Sequence, residues 1–156
     1  MAKTSYALAL GSNRRSRHGS PAATLAAAIA QLEPEAVSRV RATPALGPAG
    51  RSFANAAAIV VTDLDPNDLL RRVKGIERAF GRRGGRKWGA RVLDIDLILW
   101  SGGAWAEDGL VLPHPEMRRR LFVLEPLAEI APRWRDPLTG ATVRQLLHRL
   151  RRPCRA

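Results

Sequence analysis

From Ser5 to Leu10 apolar residues alternate with small ones, placing Tyr6, Leu8 and Leu10 on one face, and this period of two predicts a strand. The run passes into Gly11-Ser12-Asn13 and a polar, basic loop to Ser20. Ser20-Pro21 supplies an N-cap with proline at the first helical position. Leu25, Ile29 and Leu32 then form a helical stripe that stops before Pro34. Val37 to Arg41 predicts a strand, followed by a proline- and glycine-rich loop from Thr43 to Gly50. Phe53 to Thr62, rich in alanine and β-branched residues, predicts another strand. Asp65-Pro66-Asn67-Asp68 starts a helix whose buried face is Leu69, Leu70, Val73, Ile76 and Phe80, and Gly81 ends it.

A basic glycine-rich segment, Arg82 to Gly89, leads into an apolar strand that carries two acids, Arg91-Val92-Leu93-Asp94-Ile95-Asp96-Leu97-Ile98-Leu99-Trp100. Strict alternation puts Leu93, Ile95, Leu97 and Leu99 on one face. The other face carries Asp94 and Asp96, followed by Ile98 and Trp100. Ser101-Gly102-Gly103 predicts a hairpin turn, with Ala104 to Trp105 and Leu110 to Leu112 as short strand pieces. Pro113-His114-Pro115 is a stiff loop. Arg119 to Ile130 and Thr142 to Arg151 predict two more helices, the second amphipathic through Val143, Leu146, Leu147 and Leu150. No repeat or linker divides the chain. Strands and helices interleave around a hairpin, so the expected fold is α+β with a mainly antiparallel sheet, in a single domain over residues 1–156.

Composition narrows the function only slightly. A chain of 156 residues, 46% hydrophobic, is long enough to bury its own core. No apolar stretch approaches a bilayer span, and Met1-Ala2-Lys3 runs straight into strand pattern without a signal-peptide signature. Cys154 has no partner for a disulfide, and a reducing cytoplasm is the expected location. The formal charge of +12 attracts polyanions, whether nucleic acid, acidic lipid or nucleotide phosphate. Most of the basic residues are arginines, a bias of composition as much as of function. The charge supports an anionic ligand without choosing one.

Asp94 and Asp96 hold the strongest chemical signal. Two carboxylates on so apolar a strand are costly unless their charge is compensated. Mg²⁺ does this readily, since it takes one or two carboxylates and completes its shell with phosphates and water. The strand alone leaves open a second reading, two acids at a wet strand end held by arginines. The loop Gly81-Arg82-Arg83-Gly84-Gly85-Arg86-Lys87 could wrap phosphates with backbone N–H groups and guanidinium forks. It is not a Walker loop, and by itself it fits a solvated basic loop better. Its position beside Arg91 and the two acids brings phosphate-binding cations to the same place. His114, clamped between prolines, could donate to a phosphate or remain an idle surface imidazole. Phe53 and Phe122 fit core or ligand roles, and Asn55 beside Phe53 could read a heterocycle edge.

Together these segments resemble the 6-hydroxymethyl-7,8-dihydropterin pyrophosphokinase family, nearly end to end. The resemblance rests on Gly11-Ser12-Asn13, Thr43-Pro44-Ala45-Leu46-Gly47-Pro48 and Phe53-Ala54-Asn55-Ala56. It continues through Ile76-Glu77, Gly81-Arg82 and the specific core Trp88-Gly89-Ala90-Arg91-Val92-Leu93-Asp94-Ile95-Asp96-Leu97. Pro113-His114-Pro115, Arg120-Leu121-Phe122-Val123-Leu124 and Pro126-Leu127 complete it. The resemblance implies a ferredoxin-like α/β sandwich and transfer of pyrophosphate from ATP to the pterin hydroxymethyl group, with release of AMP, in folate biosynthesis. It implies that Asp94 and Asp96 hold two Mg²⁺ ions, and that Arg82 and Arg91 serve catalysis. ATP would be bound by Leu70, Lys74, Glu77, Arg82, Trp88, Arg91, Leu97, His114 and Arg120. The pterin would lie between Phe53 and Phe122, read by Asn55 and by Thr43, Pro44 and Leu46. The implied protein is a cytoplasmic monomer whose partners are ATP and the pterin, with no nucleic acid and no membrane. Lys74 stands where the family commonly has glutamine, and Ala90 where it often has proline. Gly50-Arg51-Ser52 replaces a more usual Gln-Pro-Asp.

Two other readings fit less well. A nucleotidyltransferase joins Gly-Ser to its Asp-x-Asp strand within a short turn and helix, whereas some eighty residues separate Gly11-Ser12 from Asp94. An RNA-binding sheet displays aromatic residues for base stacking. Only 5% of this chain is aromatic, and its best strand displays carboxylates.

Overall fold

The computed structural model describes residues 2–43, 53–81 and 92–152. Its elements are β1 (Thr4–Ser12), α1 (Pro21–Leu32), β2 (Ala36–Val37), β3 (Arg41–Thr43), β4 (Phe53–Thr62), α2 (Pro66–Ala79) and β5 (Asp94–Trp100). A ribbon of β6 (Trp105–Glu107) and β7 (Leu110–Leu112) follows, then a 3₁₀ turn Met117–Arg119, α3 (Leu121–Ile130) and α4 (Val143–Arg151). β1 pairs with β4 on one side and β5 on the other, and β4 carries β2 and β3 along its far edge. Every pairing is antiparallel, as expected.

The helices start where the caps predict. Ser20 accepts the Ala23 amide, Asp65 accepts that of Asp68 at 2.8 Å, and Thr142 and Gln145 form a reciprocal capping box. One sheet face packs Leu8, Leu10, Ala56, Ala58, Leu93, Ile95 and Leu97 against α1 and α2. The other packs Ala7, Ala57, Ile59, Ile98 and Leu99 against α3 and α4. The sheet is therefore a middle layer with a helix pair on each side. Among the described residues no helix is long and apolar enough to cross a membrane.

Four local expectations are corrected. The β1–β5 register shifts between Ala7 and Leu8, leaving Ile98 without a partner between Leu97 and Leu99. This bulge reverses the alternation beyond it. Leu99 joins the α3/α4 core instead of following Leu97, and Trp100 turns to the α1/α2 side, stacked on Tyr6 with ring centroids 6.1 Å apart. The strand predicted over Val37 to Arg41 is two short pieces. Between them the buried Ser38 hydroxyl accepts the Ala57 amide at 2.9 Å, where a strand would offer a backbone carbonyl. Ser101-Gly102-Gly103 links β5 to the ribbon without itself closing a hairpin. The hairpin turn is Asp108-Gly109, with φ of 49° and 80°, the left-handed pair favoured by Asp-Gly. The helix predicted from Arg119 begins at Leu121, because Arg120 is extended at φ −117°, ψ 105° after the 3₁₀ turn.

Candidate active site

Cross-strand register assembles a polar row on the sheet face that α3 and α4 cover. Asp94 pairs with Gly11, Gly11 with Asn55, and Asn55 with Arg41. Paired residues project to one side, so these four positions lie side by side across β5, β1, β4 and β3. A Cβ on Gly11 would sit 3.3 Å from Asn55 Oδ1, so glycine leaves the amide its space. One step inward, Asp96, Ala9 and Ala57 form the next row, and beyond it the face becomes apolar. One step outward, Phe53 pairs with Thr43, and the Phe53 ring is 47% exposed. Asp94, Asp96, Asn55 and Phe53 thus share one surface, which sequence alternation alone foretold only for the two acids.

The segment from His114 to Phe122 borders this surface. The His114 amide donates to the Ile98 carbonyl at 2.9 Å, so the bulged residue of β5 holds the loop. His114 Nδ1 accepts the Glu116 amide at 3.1 Å, which leaves Nε2 to carry the proton of the neutral ring. Burial pushes the His114 pKa down; the Asp96 carboxylate opposes this, and the Arg120 guanidinium adds to it. His114 therefore lies within the fields of both Asp96 and Arg120. The Arg120 guanidinium sits 5.6 Å from the centroid of the Phe122 ring, which is 52% exposed. Arg118, in the 3₁₀ turn between them, is tied to the fully buried Asp136 by Nε–H···Oδ2 at 2.6 Å.

On the other side, the free edge of β5 meets α2. Leu70, Lys74 and Glu77 lie on one helical stripe. Glu77 is 1% exposed; its Oε2 accepts the Ile95 amide at 2.8 Å, between the two aspartates, and its Oε1 pairs with Lys74 Nζ at 3.2 Å. The Leu97 side chain is buried in the α1/α2 core, facing away from Asp94 and Asp96. Two residues on from Ile95, its backbone faces the same free edge, so a ligand there meets the main chain of Leu97 rather than its side chain.

The residues of sequence interest thus fall into three groups: the sheet face, the His114–Phe122 segment, and the α2 edge. Arg82, Trp88, Arg91, Pro44 and Leu46 lie outside the described residues. The sequence reading missed Arg41, Arg118, Glu129 and Asp136. Only Asp136 left a signal, the run Asp136-Pro137-Leu138-Thr139-Gly140, whose carboxylate takes the Leu138 amide at 2.9 Å as an Asp-initiated turn does.

Half-buried, adjacent carboxylates are a suitable donor set for a hard cation such as Mg²⁺. Among the described residues no three acid, histidine or cysteine side chains gather into a fuller metal cluster. The geometry therefore fits a metal whose remaining ligands are phosphate oxygens and water.

The family model for 7,8-dihydro-6-hydroxymethylpterin-pyrophosphokinase matches residues 7–132. The chain is 43% identical over 150 residues to the 2-amino-4-hydroxy-6-hydroxymethyldihydropteridine pyrophosphokinase of Methylorubrum extorquens, covering 92% of this chain and 91% of that one. It is 40% identical over 124 residues to the enzyme of that name from Synechocystis, covering 80% of this chain but 64% of the relative. Among solved structures, Plasmodium falciparum HPPK-DHPS with SDX-DHP superposes with a TM-score of 0.73 at 14% identity, covering 94% of this chain and 44% of that chain. At that identity the likeness is one of fold.

Proposed function

The chain belongs to the 7,8-dihydro-6-hydroxymethylpterin-pyrophosphokinase family, and from that premise we propose that it transfers pyrophosphate from ATP to 6-hydroxymethyl-7,8-dihydropterin, releasing AMP, in folate biosynthesis. The observation that carries this reading is the pair Asp94 and Asp96 on the same sheet face as Asn55 and Phe53, with His114 close enough to feel the Asp96 charge. The strand order, with α1 and α2 together on one face, supports a ferredoxin-like sandwich. In this reading residues 1–156 belong to one pyrophosphokinase domain that acts in the cytoplasm as a monomer.

Phe53 and Phe122 offer two exposed rings to stack on a flat heterocycle, while Asn55 matches its donor and acceptor edge. Thr43, Pro44 and Leu46 are assigned to the same edge. Arg120, with Arg82 and Arg91, neutralises phosphate charge, and the neutral His114 donates from Nε2 to a phosphate oxygen. Leu70, Lys74, Glu77 and the Leu97 backbone form the nucleotide side, to which Trp88 is also assigned. Two Mg²⁺ ions on Asp94 and Asp96 would draw triphosphate charge away from the reacting phosphorus and favour in-line attack. The remaining work is alignment and exclusion of water, since the hydroxyl attacks phosphorus with little need for covalent help. We assign no general base.

The test is a coupled assay of nucleotide products. AMP should form only when ATP, Mg²⁺ and the hydroxymethyl dihydropterin are all present. ADP release, or turnover without the pterin, refutes the assignment. Phe122→Ala should weaken pterin binding by about tenfold, the scale of a lost ring stack, and change ATP binding by no more than about twofold. Equal losses for both ligands, measured by calorimetry, would remove Phe122 from the pterin site.

A further inference from the structure

Arg41 completes the polar row on the site face, next to Asn55. Its Nη2 lies 3.2 Å from Glu129 Oε1 on α3, so one arm of the guanidinium is engaged. Its Nη1 is buried and meets no hydrogen-bond acceptor among the described residues. A buried N–H of a charged group without a partner costs more than the average hydrogen bond returns, so such a donor calls for an acceptor. The Glu129 carboxylate fixes the fork, since Oε2 is held by the Arg39 amide at 2.8 Å while Oε1 faces Arg41. The guanidinium is therefore pre-set, with one donor free, on the same row as the amide assigned to the heterocycle.

We propose that Arg41 is a further specificity-determining residue of the heterocycle site, donating from Nη1 to an acceptor atom on the ligand's polar edge. This inference rests on the pyrophosphokinase reading. A planar fork at this position favours rings that present a carbonyl oxygen or bare ring nitrogen beside the groups bound by Asn55. It disfavours rings that present a second donor there.

The test measures binding of the hydroxymethyl pterin, and separately of a non-hydrolysable ATP analogue, to the full chain and to Arg41→Met, Arg41→Lys and Glu129→Gln. Arg41→Met should raise the pterin Kd about tenfold while leaving the nucleotide Kd within about twofold. Arg41→Lys should recover only part of this, because an ammonium directed to Glu129 lacks the second, divergent donor; it also carries the comparison should the methionine variant fail to fold. Glu129→Gln should stay within about threefold of the wild type, because the amide oxygen still holds the fork. Wild-type pterin affinity in both Arg41 variants overturns the proposal. So does a loss in Glu129→Gln as large as in Arg41→Met, which would make Arg41 only a brace for α3. Absence of pterin binding to the wild-type chain itself is a different result, and refutes the underlying function.

Discussion

Asp96→Ala should lower turnover by about three orders of magnitude while the protein melts at or slightly above the wild-type temperature, the separation expected of an acid that serves a metal and not the core. The Asp96 side chain is half-buried and, among the described residues, takes part in no ion pair, so its removal strands no described cation. It also relieves repulsion. Alternate residues of a strand stand about 7 Å apart, where two carboxylates repel by about 1 kcal/mol at effective dielectrics between protein surface and water. Mg²⁺ titration followed by calorimetry gives a readout independent of turnover: the variant should lose most of the metal-dependent heat seen with ATP. Unchanged activity, or a large fall in melting temperature, would mean that Asp96 is structural.

Asp136→Asn is the second large effect, expected as a loss of stability on the order of 3 kcal/mol near neutral pH, the scale for breaking a buried pair. Burial alone would raise the Asp136 pKa. Hydrogen bonds from Arg118, the Leu138 amide and Thr139 outweigh that cost and hold the carboxyl below the usual carboxylate range. A depressed native pKa stabilises the fold above the unfolded value of about 4, and this stabilisation fades as pH falls through the native value. The difference between wild type and Asp136→Asn should therefore be full above about pH 5 and shrink steadily below about pH 4. Denaturant melts across that range provide the measurement. A gap that does not depend on pH would assign the loss to packing instead of charge. Because Arg118 sits in the 3₁₀ turn just before Arg120, the same variant should also bind both substrates more weakly.

The strands with clean alternation and the helices with explicit caps were legible in the chain. Phe53–Thr62 agrees in extent with β4, and Asp65 and Thr142 mark the true starts of α2 and α4. What failed was set by contacts distant in sequence. Nothing near Ile98 announces a bulge, because it arises from β1 register and from the His114 amide that takes the Ile98 carbonyl. Ser38 breaks a strand only because Ala57 lies opposite its hydroxyl. The Asp-Gly turn at 108–109, by contrast, carried a readable signal that the glycines at 102–103 obscured. In the candidate site, residue chemistry singled out Asp94, Asp96, Asn55 and both phenylalanines. It could not show that Arg41 shares their row, since that juxtaposition exists only through the pairing of β3 with β4.

The Glu77 carboxylate has a consequence for the free edge of the sheet. β5 is the outer strand of its side of the sheet, and its core is among the most apolar stretches of the chain. An uncovered outer strand of that kind is a template on which another chain can add. By occupying the Ile95 amide with a buried acid, α2 removes a donor that an invading strand would need. The same contact that steadies the two aspartates thus guards against aggregation. One side chain braces the acidic strand from within and blunts its edge.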